Sequence, residues 1–231
     1  MKRKGWGDDS NIGDNRKSWC LVSSHSGYHC SARGYLFNHA GVRRTIPRPD
    51  SKRVGVFLDW PAGTLSFYSV SSSGTLTHLH TEHTTFTEPL YPGFRICSSS
   101  VTLCQIDDQH IQRDHGGECR LKLGRRKYAC HLTLDPDTAH PNLILSEGNR
   151  KVTLVEENQH YEDHPDRFDC HPHILCREGL SGSRYYWEVE RDCGMAVIGV
   201  VYKGMKRKGW GDDSNIGDNR KSWCLVSSHS G

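Results

Sequence analysis

Residues Tyr185–Glu190, the run YYWEVE, decide the fold class. Side chains along an extended chain alternate, so Tyr185, Trp187 and Val189 fall on one face and Tyr186, Glu188 and Glu190 on the other. The pattern predicts a strand with one apolar and one wet face. Just downstream, Ala196–Tyr202 (AVIGVVY) is apolar on both faces, and its length and β-branched content favour a strand buried between layers. Upstream, Val54–Trp60 and Thr64–Val70 read as a hairpin through Pro61-Ala62-Gly63, with Leu65 and Phe67 on one side and Ser66 and Tyr68 on the other. Leu143–Leu145, Lys151–Val155 and Ser100–Ile106 add further short strands bounded by Gly, Pro, Asp or Ser. No stretch keeps a 3.6-residue apolar stripe over three turns, so the chain is predicted to be all-β, a sandwich or barrel forming one domain. Asp107–Ala129 is charged, lacks alternation and contains Gly116-Gly117; it reads as a linker with one weak helical turn.

Composition narrows the function. Of 231 residues, 30 are basic and 27 acidic, and the net charge of +3 gives no global field suited to nucleic acid or an anionic membrane. The basic character is local, at Lys2-Arg3-Lys4, at its copy from Lys206, and at Arg120–Lys127. The longest apolar run, Gly194–Tyr202, is far short of the roughly 20 residues a membrane-spanning helix needs. Polar residues follow Met1 where a signal peptide would be apolar. Ten cysteines lie at no regular spacing, several within apolar runs, as buried free thiols do. These features predict a soluble protein in the cytoplasm.

One feature stands apart from the strand pattern. Met1–Gly27 (MKRKGWGDDSNIGDNRKSWCLVSSHSG) recurs without change as Met205–Gly231, an offset of 204 residues.

Three patches resemble the hallmarks of the B30.2/SPRY (PRY-SPRY) family: Leu134-Asp135-Pro136 in CHLTLDPDTAHPNLILSEGNRKV, Trp187-Glu188-Val189-Glu190 in REGLSGSRYYWEVE, and Leu58-Asp59-Trp60 in RVGVFLDWPAGTLSFY. Pro89–Ile96 (PLYPGFRI) is also typical of the family, and Asp163–Arg177 (DHPDRFDCHPHILCR) resembles the PRY-SPRY domains of fish immune receptors and tripartite-motif proteins. The resemblance implies an antiparallel two-sheet β-sandwich of the concanavalin-like jelly-roll kind. It also implies a protein-interaction module, with loops at one end of the sandwich gripping a protein ligand in innate immunity or in substrate recognition by a ubiquitin ligase.

The order of the hallmarks departs from the family, because the first two precede the third there and follow it here. Residues 1–105 resemble the C-terminal half of a SPRY domain. Residues 106–129 are the linker, and residues 130–231 resemble a PRY segment plus the N-terminal half of SPRY. Two readings stay open: a circularly permuted domain, or a window cut from a tandem array. Either way Gly5–Val22 and Gly209–Val226 compete for one place in the sheet. The copy left out exposes a strand edge, which predicts swapped self-association.

No catalytic motif is present: GxSxG, HExxH, the P-loop and GxGxxG are all missing, and an enzyme is not expected. No cofactor is expected either. The histidine-rich clusters, Cys170-His171-Pro172-His173 with Cys176 and His78, His80 and His83, lack zinc spacing. The Asp8–Asn15 loop and its copy lack the twelfth-position glutamate of a calcium loop and read as solvated turns. Binding therefore remains, and by resemblance the candidate loops are Gln159–Phe168 and Gly209–Trp223. Within them Tyr161, Arg167, Phe168 and Trp210 are hot-spot residue types, with Asp212 as a polar neighbour. Two other readings accompany this one: a toxin-type or extracellular protein carrying the same module, and a truncated gene product without independent function.

Overall fold

The computed structural model describes residues 34–46, 51–106, 124–192 and 194–229. In chain order the strands are β1 (Gly34–His39), β2 (Val42–Ile46), β3 (Arg53–Asp59), β4 (Thr64–Val70), β5 (Leu76–His83), β6 (Leu90–Ile96) and β7 (Ser100–Leu103). After a 3-10 turn at Gly124–Tyr128 come β8 (Leu143–Ser146), β9 (Lys151–Leu154), β10 (His173–Leu175), β11 (Arg184–Arg191), β12 (Gly194–Tyr202) and β13 (Ser222–His229). They form two sheets, a six-stranded one in the order β10-β6-β12-β13-β1-β2 and a seven-stranded one in the order β5-β4-β3-β11-β7-β9-β8. Neighbouring strands pair antiparallel in both. The fold is the expected all-β two-sheet sandwich.

The YYWEVE run lies in β11, the middle of the larger sheet, with β3 on one side and β7 on the other. Trp187 and Val189 turn into the space between the sheets and belong to one buried cluster with Leu58, Leu65, Phe67, Phe94, Ile198 and Leu225. Complete burial of such a side chain stabilises the fold by about 1.5–3 kcal/mol, so this layer dominates the stability. The opposite face of β11 is not wet as expected. Tyr186 and Glu188 are buried there, because the 3-10 turn at Gly124–Tyr128 lies over them. Arg126 pairs with Glu188 at 2.9 Å, Arg53 approaches it at 3.6 Å, and the Tyr186 hydroxyl donates to it at 2.8 Å. The end of the predicted linker thus supplies a counter-ion to a buried acid.

β12 is buried on both faces, as its sequence predicted. Ile198 and Val200 face the main core, while Val197 and Val201 join a second cluster with Phe168, Leu175, Met205, Ile216 and Cys224 on the outside of the smaller sheet. Gly194 opens the strand at φ +71°, and a Cβ there would overlap Ser98 Oγ, so glycine alone lets the chain cross between sheets at this point.

Strands from both halves of the sequence interleave: β6 lies between β10 and β12, and β7 between β11 and β9. The strand between β12 and β1 comes from the second copy of the duplicated segment, with Ser228 opposite Gly34 and Trp223 opposite His39. The first copy, with Trp6 and Trp19, lies outside the described residues. None of the helices among the described residues is long and apolar enough to cross a membrane. The six described cysteines, Cys97, Cys104, Cys130, Cys170, Cys176 and Cys224, are free thiols.

Candidate functional site

Residues 203–221 connect β12 to β13 and fold onto the outside of the smaller sheet. Met205 and Ile216 are buried there, and the Arg207 guanidinium tucks beneath the loop, donating to the carbonyls of Met205 (2.8 Å) and Lys203 (3.1 Å). Asn219 gathers the carbonyls of Asp212, Asp213 and Asn215, which ties the acidic turn to itself. Gly217, at φ +97°, passes so close to Cys224 that a Cβ would meet Sγ at 2.5 Å, and this fixes the turn into β13.

The segment leading into β10 is stapled just as firmly. Arg167, although of a hot-spot type, is buried and spends its donors on its own backbone, reaching the carbonyls of Glu162 (3.0 Å), Pro136 (2.8 Å) and Ala139 (2.8 Å). Its guanidinium lies 5.0 Å from the Tyr161 ring, and Tyr161 donates to the Leu143 carbonyl at 2.7 Å. Phe168 is buried beneath Arg207, 4.9 Å away. Of the five candidate residues, Arg167 and Phe168 are buried and organise the surface from within, while Tyr161 is half-buried.

The structure brings the two candidate loops together. Lys208 pairs with Asp163 at 2.9 Å, and the Gly209 amide donates to Asp169 at 2.9 Å. The Lys208 ammonium holds the Asp163 carboxyl below the usual carboxylate range. Above this seam stands Trp210, 77% exposed. Its indole meets the His171 ring edge-on at 5.0 Å; His171 lies 5.4 Å from His173, and His173 meets Phe168 edge-on at 4.9 Å. A row of rings therefore runs from the second hydrophobic cluster out to the exposed indole.

That row is uncharged at neutral pH. Burial, with Arg95 nearby, pushes the His171 pKa down to about 4 and that of His173 well below the ordinary histidine value, and burial also lowers His140. Both ring nitrogens of His173 are buried without a hydrogen-bond partner. The sequence marked His171 only as part of a histidine-rich cluster without zinc spacing, and Lys208 only by its place beside Trp210.

Asp212, the fifth candidate, is exposed and lines a different feature, an open groove of about 550 Å³ bordered also by Ala40, Lys206, Asp213, Asp218 and Lys221. The two faces of the 203–221 loop are thus unlike, one aromatic and one charged. Among the described residues no group of three or more His, Cys, Asp or Glu gathers as metal ligands would.

Comparison with known proteins finds two family models that match parts of the chain. The family model for the SPRY domain matches residues 2–106, and the model for the SPRY-associated domain, PRY, matches residues 132–180. Among curated relatives, stonustoxin subunit beta of Synanceia horrida is 47% identical over 98 residues, 42% of this chain and 14% of that protein. Butyrophilin subfamily 2 member A2 of Mus musculus is 46% identical over 114 residues, 48% of this chain and 22% of the relative. Tripartite motif-containing protein 16 of the same organism is 44% identical over 100 residues, 43% and 18% respectively. The chain thus spans less than a quarter of the length of these relatives. A solved stonustoxin structure matches 43% of this chain and 15% of its own at 35% identity, with a TM-score of 0.32.

Proposed function

The chain belongs to the B30.2/SPRY family and carries both its PRY and SPRY segments, and on that premise we propose that it recognises a protein ligand at the seam around Trp210. One observation carries this reading: a tryptophan 77% exposed, held edge-on by His171 where the two candidate loops are pinned together by Lys208–Asp163 and Gly209–Asp169. An aromatic side chain fixed before binding loses little conformational freedom on contact, and tryptophan dominates interface hot spots. Trp210 is the most exposed large apolar side chain among the described residues, ahead of Val42 and Ile144.

The proposal extends to context. The module serves a larger immune or ubiquitin-ligase-like protein in the cytoplasm, where free thiols such as buried Cys176 and Cys224 persist. The similarity to stonustoxin subunit beta supports the second reading, a toxin-type protein using the same scaffold. Thiol counting by mass spectrometry on natively purified protein separates the two, since free thiols throughout favour the first and disulfides favour the second.

The recognition surface is tested with immobilised protein exposed to cell extract. Proteins retained by the parent chain and lost from a Trp6→Ala/Trp210→Ala variant, while retained by Ile144→Ala, support the seam. An unchanged retained set on the double variant would overturn it.

A further inference from the structure

β13 fills a slot one strand wide. Trp223 stacks on His39 at 4.7 Å with ring planes 10° apart and meets Phe86 and Tyr202 edge-on at 5.8 and 5.3 Å. Leu225 is fully buried in the main core, and Ser227 Oγ accepts from the buried Arg191 Nε at 2.8 Å. Every side chain that makes these contacts recurs in the same order in Ser18–His25. The match continues through the preceding loop, where buried Met205, Arg207, Ser214 and Ile216 and the positive-φ Gly217 correspond to Met1, Arg3, Ser10, Ile12 and Gly13.

Side-chain chemistry therefore cannot distinguish the two copies; only their tethers differ. Ser222–His229 is joined to β12 through residues 203–221, on one side of the slot. Ser18–His25 is joined to β1 through residues 26–33, on the other side. Since β13 runs antiparallel to both β12 and β1, each tether delivers its strand in the required direction. An eight-residue connection is ample for a hairpin between adjacent strands about 4.8 Å apart. Loop-closure probability falls as roughly the 3/2 power of length, which favours the shorter tether by only about fourfold.

We propose that the slot between β12 and β1 is a strand-exchange site, for which Ser222–His229 and Ser18–His25 of the same chain are interchangeable occupants. The exchange conserves every contact within the slot and moves the spare 27 residues from one end of the chain to the other. A short tether acts as a local concentration in the millimolar range, so the chain's own copy wins in dilute solution and a second molecule competes as the protein is concentrated.

Three variants of the full chain test this: Leu21→Lys, Leu225→Lys, and both together. A lysine cannot occupy the core position of Leu225, so each single substitution disables one occupant only. The expected result is cooperative melting of both single variants within about 5 °C of the parent, with the cooperative transition abolished in the double variant. A Leu225→Lys chain as unfolded as the double variant would overturn the proposal. Light scattering on Leu225→Lys from micromolar to near-millimolar protein identifies the donor. A monomer at micromolar protein upholds exchange within one chain, and a dimer already dominant there would overturn it.

Discussion

Trp223 and Trp210 lie thirteen residues apart in one duplicated segment, yet one is 3% exposed and the other 77%. Trp223 closes the core between the sheets, boxed by His39, Phe86 and Tyr202. Trp210 meets the His171 ring edge-on and projects from a loop that other residues hold still. The difference lies in what precedes each ring. Gly217 and Ser222 steer the chain into an eight-residue strand before Trp223, whereas Gly209 and Gly211, both at positive φ, turn it outward around Trp210. A single segment thus carries a scaffold residue and a recognition residue, and the substitutions below should separate the two roles.

The largest loss of stability is expected where the scaffold role is removed from both copies. Trp19→Ala with Trp223→Ala leaves no indole for the slot beside His39, and creating a cavity of that size costs about 3–5 kcal/mol. Chemical denaturation should show the full loss in the double variant and a clearly smaller one in Trp223→Ala alone. Equal losses in the two would mean that the N-terminal copy offers no rescue.

Next comes the buried acid on the outer face of β11. Glu188→Ala strands the Tyr186 hydroxyl and removes the partner of Arg126, at a cost of about 1–3 kcal/mol. The effect appears in denaturant midpoints and should not alter ligand capture, since Glu188 belongs to the other sheet. A change in capture would tie the linker end to the recognition surface.

How far the sequence reveals the fold is clear at this same place. The alternation of Tyr185–Glu190 identified strand β11 and its inward Trp187 and Val189, because a half-buried strand writes its inner face into the sequence. It did not reveal that Tyr186 and Glu188 are covered, because the cover arrives from Gly124–Tyr128, some sixty residues away. β1 and β2 also escaped notice. Their turn uses Ala40-Gly41, both at positive φ, where asparagine-glycine would have signalled a hairpin. β5, LTHLHTEH, is an edge strand whose histidines and threonines blur the period. In the site, residue type marked Arg167 and Phe168 as contact residues, but type cannot say whether an arginine reaches a ligand or the carbonyls of its own loop.

A smaller effect should follow acidification, and it concerns the base on which Trp210 stands. His171 and His173 are neutral in the fold, with pKa values below the ordinary 6.5 of an exposed imidazole, so below that pH the unfolded chain binds more protons than the folded one. Stability contributed by these groups is complete above pH 6.5 and declines as the pH falls toward about 4, where His171 itself titrates in the fold. Arg95 and His140 add to the cost of a charge here, while Asp169 and Asp218 reduce it for His171. Thermal melts across this window should show the decline, and His171→Phe should flatten part of it. An unchanged slope in that variant would show that the ring row does not carry the pH dependence.

The smallest change in stability and the sharpest change in function are expected at Trp210. Because its ring is exposed, replacing it by alanine in both copies, Trp6→Ala with Trp210→Ala, should alter unfolding free energy by less than about 0.5 kcal/mol. If the indole is the anchor of the seam, the same change should weaken ligand binding by about 2 kcal/mol or more, some thirtyfold in affinity. Lys208→Ala supplies the intermediate case. It frees one of the two pins between the loops, leaves the indole in place, and should reduce affinity less than removal of the ring. Titration calorimetry with whichever protein the capture experiment identifies would then rank the parent, Lys208→Ala and the double tryptophan variant in that order. A ligand that binds all three equally would have to contact the module elsewhere, and the charged groove around Asp212 would be the next surface to mutate.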